Sequence, residues 1–319
     1  MSRLGDRVPS LISADWGTTA LRLYLLAADG SIVDRRSSQQ GLMGIAKDEF
    51  ATVLRSQCAD WLREFGALPA LLSGMVGSRQ GWVEVPYVSS PAGLGELASR
   101  SAAIDVPGFR SVHIVAGVDT TDTMGIPDVM RGEECQIMGA LSLLGLTDGT
   151  FILPGTHSKW VKVEARRITS FQTFMTGEIF AALKNHTILG RMMEQTATSQ
   201  GDEMSDAFAR GIDTAARSDA PGAWLHRLFS VRTLGLMGQL PDKDAADYLS
   251  GLMIGWEMAG LTRNPDQAAV LIGGRELTKR YLRAADLCGL ATIEAPEDCV
   301  CAGHMQIAQA AGITPRKAR

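Results

Sequence analysis

Residues 11–19 read LISADWGTT, and residues 150–161 read TFILPGTHSKWV. In each stretch a short apolar run suited to a buried strand ends in a glycine–threonine turn. A second apolar run follows the turn, ALRLYLLA over Ala20–Ala27 in the first case and KWVKV over Lys159–Val163 in the second. Ala28–Asp29–Gly30 then reads as a hairpin turn before a third strand starting over Ser31–Arg35, and Glu164–Arg167 turns the chain before Ile168–Phe174. A helix follows each third strand. Phe50, Val53, Leu54, Cys58, Trp61, Leu62 and Phe65 recur at helical spacing until Gly66, and another helix starts near Thr176. Gly17–Thr18 and Gly155–Thr156 stand 138 residues apart. An internal repeat constrains architecture before any single motif does, so the chain reads as two similar α/β halves.

Further elements fill in the halves. Pro69–Met75 and His113–Ala116 are buried strands, Asp119–Met130 reads as a loop, and a helix spans Glu133–Leu144. The second half continues with helices near Asp202–Arg217, Ala223–Leu236 and Asp242–Thr262. A strand at Ala268–Ile272, a Gly273–Gly274 turn, a helix over Arg275–Leu287, a strand at Ala291–Glu294 and a helix over Asp298–Ala311 complete it. Gly251 and Gly255 lie inside a helix, where each costs about 1 kcal/mol; close approach of another backbone is the expected compensation. No low-complexity linker separates the halves. The boundary falls at residues 147/148, with Gly145–Gly149 as the hinge candidate, giving an N-terminal domain over 1–147 and a C-terminal domain over 148–319.

The 319 residues suit two domains of ordinary size, and 45% hydrophobic with 21% charged residues is the balance of a globular enzyme. A net charge of −4 without a basic stripe argues against nucleic-acid binding. No apolar run approaches the length of a membrane span, and no h-region of a signal peptide precedes the first strand. Five scattered cysteines, Cys58, Cys135, Cys288, Cys299 and Cys301, suggest reduced thiols and a cytoplasmic setting. Cys299 and Cys301 form a lone C-x-C near His304; small helix residues account for it, and a metal site would need a complete ligand set.

Three turns follow buried strands and are built to approach phosphate: Gly17-Thr18-Thr19, Gly155-Thr156-His157-Ser158 and Gly273-Gly274. Glycine and small hydroxyl residues let backbone N–H groups converge on an anion without obstruction. Asp15 ends a buried strand beside the first turn, a costly place for a carboxylate unless it caps the turn or holds a cation. At the position matched to Asp15 the second turn carries Pro154, and Lys159 follows as a point charge or as an ordinary strand lysine.

These features resemble the two phosphate loops and the adenosine loop of the sugar-kinase/actin/Hsp70 superfamily. A narrower resemblance, to the 2-dehydro-3-deoxygalactonokinase family, rests on longer strings in family order: DWGTT (Asp15–Thr19), GSRQGW (Gly77–Trp82), PDVMRGEE (Pro127–Glu134), LPGTHSKWV (Leu153–Val161) and FMTGEIF (Phe174–Phe180). Residues 199–265 and Ala116–Gly125 carry no motif that matches.

The resemblance implies two ribonuclease-H-like (actin-like ATPase) domains, with mixed sheets flanked by helices and an ATP cleft between them. The first would carry the first phosphate loop and the sugar acid, the second the other phosphate loop and adenosine. It implies transfer from MgATP to the 6-hydroxyl of 2-dehydro-3-deoxy-D-galactonate, a small-molecule sugar acid. Asp15 would hold Mg²⁺, and Gly17, Thr18, Thr19, Gly155, Thr156, His157, Ser158 and Lys159 would handle phosphates. Gly273 and Gly274 would meet the nucleoside. An acid among Asp128, Glu133 and Glu134, taken in that order, would accept the hydroxyl proton, at least one of the three being a helix cap instead. Arg79 and Arg131 are candidates for the substrate carboxylate, Gln80 and Trp82 for its hydroxyls and carbon chain, and Glu178 for a further contact. Local salt bridges, core packing and helix-start capping are the structural alternatives for these residues. Rival activities are a kinase for another sugar or keto-deoxy acid, and a non-catalytic ATP switch. The sequence encodes no assembly, and a homodimer is compatible with it.

Overall fold

The computed structural model describes residues 8–193, 204–217, 220, 222–260 and 268–314. The far ends of two expected helices, at Asp202 and Thr262, lie outside them. The chain forms two compact units: unit 1 takes residues 8–149, 161–171 and 295–314, and unit 2 takes 150–160 and 172–294 within the described residues. The first change of unit thus falls two residues beyond the expected boundary, and the C-terminal segment packs with the N-terminal one.

Unit 1 begins with strands β1 (Pro9–Trp16), β2 (Leu21–Ala27) and β3 (Ile32–Ser38), helix α1 (Phe50–Phe65) and strand β4 (Pro69–Ser73). It continues through β5 (Val88–Ser89), β6 (Ala92–Gly93), α2 (Leu94–Ser99), β7 (Ala102–Ile104), β8 (Ser111–Ile114), β9 (Val118–Thr121), β10 (Pro127–Met130) and α3 (Glu133–Leu143). The main sheet has the order β3-β2-β1-β4-β8-β7; β1 runs antiparallel to β2 and parallel to β4, and β4 is parallel to β8. Leu11, Ile12, Ala14, Leu23, Leu25, Ala70, Leu72, Val112 and Ile114 are buried. Burial on both faces explains why these strands read as continuous apolar runs instead of alternating ones. In α1 the buried residues are Phe50, Leu54, Cys58 and Trp61, the expected stripe, and Gly66 at φ 78° ends the helix.

One expected loop is ordered. Residues 118–130 form the β9–β10 hairpin, and β9 also pairs in parallel with β5, giving a second sheet of order β10-β9-β5. Asp122 closes the hairpin by accepting the N–H groups of Met124 and Ile126. Four-residue strands holding Asp and Pro have little intrinsic β preference, and the pairing partner is distant in sequence.

The later elements are β11 (Gly149–Leu153), β12 (Ser158–Glu164), β13 (Arg167–Phe174), α4 (Thr176–His186), α5 (Asp206–Ala216), α6 (Ala223–Leu228), α7 (Ser230–Leu236), α8 (Ala245–Ala259), β14 (Ala269–Leu271), α9 (Arg275–Leu287), β15 (Thr292–Glu294) and α10 (Cys299–Ala310). The strand order of their sheet includes β15-β14-β11-β12-β13. The division into units falls within β12 and β13, whose far ends belong to unit 1, where Arg167 and Ile168 pair with Gly93 and Ala92. With β1–β4 and β8 replaced by β11–β15, the order β3-β2-β1-β4-β8 is repeated, with the same parallel pairs at β11/β14 and β14/β15. The repeat in the sequence is therefore a repeat in topology. It aligns Asp15 with Leu153, one residue before the expected Pro154.

Unit 2 is held by α8 crossing α5. A Cβ on Gly251 would lie 2.1 Å from the carbonyl oxygen of Phe208, and one on Gly255 would lie 2.7 Å from Ala215 Cβ. The close approach expected of these two glycines is present. In unit 1, α10 packs on α3 in the same way: a Cβ on Gly139 would fall 1.8 Å from Cys299 O, and one on Gly303 would fall 1.9 Å from Cys135 O. Cys299 and Cys301 are buried on α10, and Nδ1 of His304 is 2.7 Å from Ser13 Oγ. Burial pushes the His304 imidazole down to about 3, so it stays neutral at physiological pH.

Candidate active site

The first glycine turn lies in unit 1. Gly17 donates its N–H to Ala20 O at 2.9 Å, while Leu42 and Met43 donate to Gly17 O and Thr18 O at 3.1 Å each. Thr18 and Thr19 are exposed. Beneath them Trp16 donates its indole N–H to Gln40 O at 2.9 Å and meets Phe50 and Trp82 edge-on, with centroids 5.2 and 6.5 Å away. Trp82 also stacks on Phe50 at 6.0 Å, so it belongs to the aromatic support of the turn. The rest of GSRQGW is a compact turn, closed by Gly81 N–H to Ser78 O and Trp82 N–H to Val76 O, which leaves Arg79 and Gln80 exposed.

Asp15 accepts Arg22 Nη1 at 3.1 Å, and its side chain is 15% exposed. Burial raises its carboxyl above the usual range, and the Arg22 guanidinium partly offsets this. Two glycines bring other elements to the same place. Gly74, at φ 88° just after β4, would carry a Cβ 2.7 Å from Trp16 O and 3.5 Å from Asp15 Oδ1. Gly132, at φ 111° just before α3, would carry one 3.2 Å from Gly74 Cα. Through Gly74, the start of α3 is thereby set close to the end of β1, which carries Asp15.

At that start, Arg131 is only 9% exposed. Its Nη2 donates to Val85 O at 2.7 Å and its guanidinium lies 4.4 Å over the Tyr87 ring, while Nε and Nη1 are buried without a partner. Ser78 Oγ is also buried and unpartnered. Half-buried Glu133 accepts the Arg131 N–H at 3.0 Å. Glu134 is fully buried and accepts the Gly132 N–H on both oxygens, at 2.9 and 2.7 Å. Burial, then the neighbouring Glu133 charge, pushes Glu134 up to about 8 against the pull of those N–H groups. Asp128 stands apart: it is paired in β10 opposite Thr120 and accepts the Val129 N–H at 2.7 Å.

The second turn and the third lie in unit 2. Gly155 and Thr156 are backed by α4, where a Cβ on Gly177 would sit 2.5 Å from Gly155 O and 2.8 Å from Thr156 Cα. Glu178 donates its N–H to Thr156 O at 3.0 Å, and its carboxylate pairs with His157 Nε2. Ser158 and Lys159 point inward: Ser158 Oγ donates to Glu257 and Lys159 Nζ donates to Thr173 Oγ1 at 2.8 Å. Exposed Gly273 and Gly274 precede α9, and Thr278 N–H returns to Gly274 O at 3.0 Å. Beside these turns opens a cavity of about 380 Å³ lined by Gly155, Thr176, Phe180, Asp247, Arg280 and Tyr281, among others. Asp247 and Arg280 form an ion pair there at 2.9 Å. Among the described residues no group of three or more His, Cys, Asp or Glu side chains is arranged to hold a metal.

Comparison with known proteins decides the family. The family model for 2-keto-3-deoxy-galactonokinase matches residues 15–307. The chain belongs to this family. It is 37% identical over 87% of its length to a Rhizobium meliloti protein named "Probable 2-dehydro-3-deoxygalactonokinase", of which 89% is covered. It is 33% identical over 94% of its length to the Escherichia coli 2-dehydro-3-deoxygalactonokinase, of which 97% is covered. A crystal structure of a Sinorhizobium meliloti protein described in similar terms superposes with a TM-score of 0.82 at 35% identity, covering 94% of this chain and 98% of that one. The fold is mixed α/β, and its repeated strand order fits the actin-like ATPase type.

Within this galactonokinase-family frame, unit 1 brings together Asp15, Gly17–Thr19, Trp82 and Arg131–Glu134, while Arg79 and Gln80 are exposed on the turn before Trp82 and Asp128 is paired within β10. Unit 2 brings together Gly155–His157, Glu178 and the cavity. One polar centre was missed by sequence reasoning: Glu257 on α8, 2% exposed, which accepts Ser158 Oγ at 2.6 Å, Trp160 Nε1 at 2.7 Å, Tyr281 OH at 2.6 Å and Thr176 Oγ1. A single glutamate in the apolar second half of α8, WEMA after MIG, was its only trace in the sequence.

Proposed function

We propose that this chain transfers the γ-phosphoryl group of ATP to the 6-hydroxyl of 2-dehydro-3-deoxy-D-galactonate. The observation that carries this reading is Arg131. A buried guanidinium with Nε and Nη1 unpartnered is costly; the two N–H groups point to different sides of the plane's outline, and a carboxylate oxygen accepting from either would offset part of that cost. Its ring partner Tyr87 and the Val85 carbonyl hold the plane of the fork, so the acid of an α-keto acid is the natural occupant. Ser78 Oγ is a further unpartnered group for the same ligand.

Unit 1 would handle the first phosphate turn and the sugar acid, and unit 2 the second turn and the nucleoside. Backbone N–H groups of Gly17–Thr19 and of Gly155–His157 would cradle phosphate oxygens, and the cavity beside Gly273–Gly274 would take adenosine. Asp15 suits Mg²⁺, an ion that needs one or two carboxylates, its remaining ligands being phosphate oxygens and waters. When bound, Mg²⁺ supplies charge neutralisation along the phosphates. Glu133 is our choice for the proton acceptor: it is half-buried at the start of α3, whereas Glu134 is fully buried, engaged with the Gly132 N–H and raised by burial toward its protonated form. Five free thiols fit the reducing cytoplasm.

A coupled ADP-release assay tests the reading with Mg²⁺, ATP and four conditions: 2-dehydro-3-deoxygalactonate, its gluconate epimer, galactose and no acceptor. Turnover with the first alone supports it. Turnover with the epimer or galactose replaces the substrate, and ATP binding without acceptor-dependent turnover replaces the kinase with a nucleotide switch.

A further inference from the structure

We infer that Glu257 is a positioning residue that sets the polarity of the unit 2 cavity wall and fixes the second glycine turn to it. The inference rests on the reading of that cavity as the nucleotide site. Glu257 sits on α8 and is reached from three other elements: Ser158 and Trp160 on β12, Thr176 at the start of α4, and Tyr281 on α9. A carboxylate offers about four acceptor sites and no donor. Here each oxygen receives two donors, Oε1 those of Ser158 and Trp160, Oε2 those of Thr176 and Tyr281.

The consequence lies in the hydroxyl hydrogens. Ser, Thr and Tyr hydroxyls can each donate or accept, and their choice is set by their partner. With Glu257 as acceptor, Thr176 and Tyr281 commit their hydrogens inward. Both residues line the cavity, so what they offer a ligand is lone pairs. The Tyr281 phenol is held well above its usual range by burial and by Glu257, which keeps its proton in place as the donated one. The wall therefore receives hydrogen-bond donors of a nucleoside, its hydroxyl or amino groups. The same carboxylate ties Ser158, at the foot of the second turn, to that wall.

The variant Glu257→Gln separates this from a purely structural role. Trp160 can only donate, so the amide oxygen must face Ser158 and Trp160 and the amide NH₂ must face Thr176 and Tyr281. Those two hydroxyls then accept from the amide and turn their hydrogens away, so the wall changes from acceptor to donor while every internal bond has a counterpart. A second variant, Trp160→Phe, removes one donor from a residue that neither lines the cavity nor lies in the turn.

The experiment is steady-state kinetics in both substrates together with thermal unfolding. For Glu257→Gln the expected result is an ATP KM raised about tenfold, the worth of roughly one hydrogen bond, with the sugar-acid KM within about twofold of the parent. Trp160→Phe is expected to raise the ATP KM less, in the same direction. An unchanged ATP KM in a variant whose Tm has fallen overturns the inference and leaves Glu257 a structural residue. Equal increases in both KM values also overturn it. Failure of the parent protein to turn over or bind ATP is a different outcome, which sinks the reading of the nucleotide site itself.

Discussion

The two glycine turns are copies of one backbone device carrying opposite chemistry. In each, a hairpin follows a buried strand, and in each a glycine three residues after the third strand presses on the turn. Gly41 follows β3, where a Cβ would lie 2.2 Å from the Thr19 carbonyl carbon; Gly177 follows β13, where a Cβ would lie 2.5 Å from Gly155 O. The side chains diverge. The first turn keeps a carboxylate, Asp15, with only Arg22 against it, and leaves two threonines exposed. The second has Leu153 at the matching position and also leaves Thr156 exposed, but its other polar side chains are engaged: His157 with Glu178, Ser158 with Glu257, Lys159 with Thr173. On the proposed reading, the first turn supplies the carboxylate for a cation and the second supplies backbone N–H groups.

This contrast can be broken at several points. The largest effect is expected for Asp15→Asn, which should lower kcat by about a hundredfold or more while the protein stays folded, because the carboxylate that would hold the neutralising Mg²⁺ is lost. An Asp15→Asn enzyme of normal kcat would remove the asymmetry between the turns. Next comes Arg131→Lys. A point charge cannot reproduce the fork, so the sugar-acid KM should rise roughly tenfold or more with the ATP KM unchanged; a change in the ATP KM instead would move Arg131 out of the acceptor site.

Gly177→Ala and Gly41→Ala probe the shared device. Each methyl meets backbone well inside contact distance, and both should raise the ATP KM by about tenfold through displacement of a turn. Gly95→Ala, where a Cβ would find open space, is the control and should leave both KM values alone. Equal behaviour of all three would show that the two contacts do not hold the turns.

The smallest effect concerns Glu134 and stability. Its carboxyl is held at about 8 in the folded chain, above its ordinary 4.5. A group raised by folding stabilises fully below its unfolded value, and that contribution is lost as pH climbs through the folded one. Stability should therefore decline between about pH 4.5 and 8 in the parent, and Glu134→Gln should flatten that decline by a few degrees of Tm. Parallel Tm–pH curves for the two proteins would count against a buried proton on Glu134.

Much of this molecule was readable along the chain, for a local reason. Buried strands are continuous apolar runs, the turns need glycine, and α1 repeats its apolar face every turn of helix. The repeated strand–turn–strand–turn–strand–helix layout and the position of Asp15 near a strand end follow from such patterns. The family strings added Arg131 and the acids beside it. What failed was non-local. The β9–β10 hairpin was read as a loop because its pairing with β5 compensates for weak strands, and α6 and α7 were read as one helix although the chain breaks between them at Phe229.

By itself, then, the sequence determined two α/β halves, their glycine turns and the residue types available for phosphate, metal and acid chemistry. Tertiary structure alone decided which of those residues are exposed, buried or already hydrogen-bonded. Whether Arg131 is paired, whether Ser158 points outward, and whether Glu134 carries a proton depend on partners tens to a hundred residues away. The same holds for the return of α10 to unit 1, where Gly139 and Gly303 let two helices touch through their backbones. Spacing encodes periodicity, but desolvation and hydrogen-bond satisfaction are properties of contacts, and contacts exist only once the chain has closed on itself.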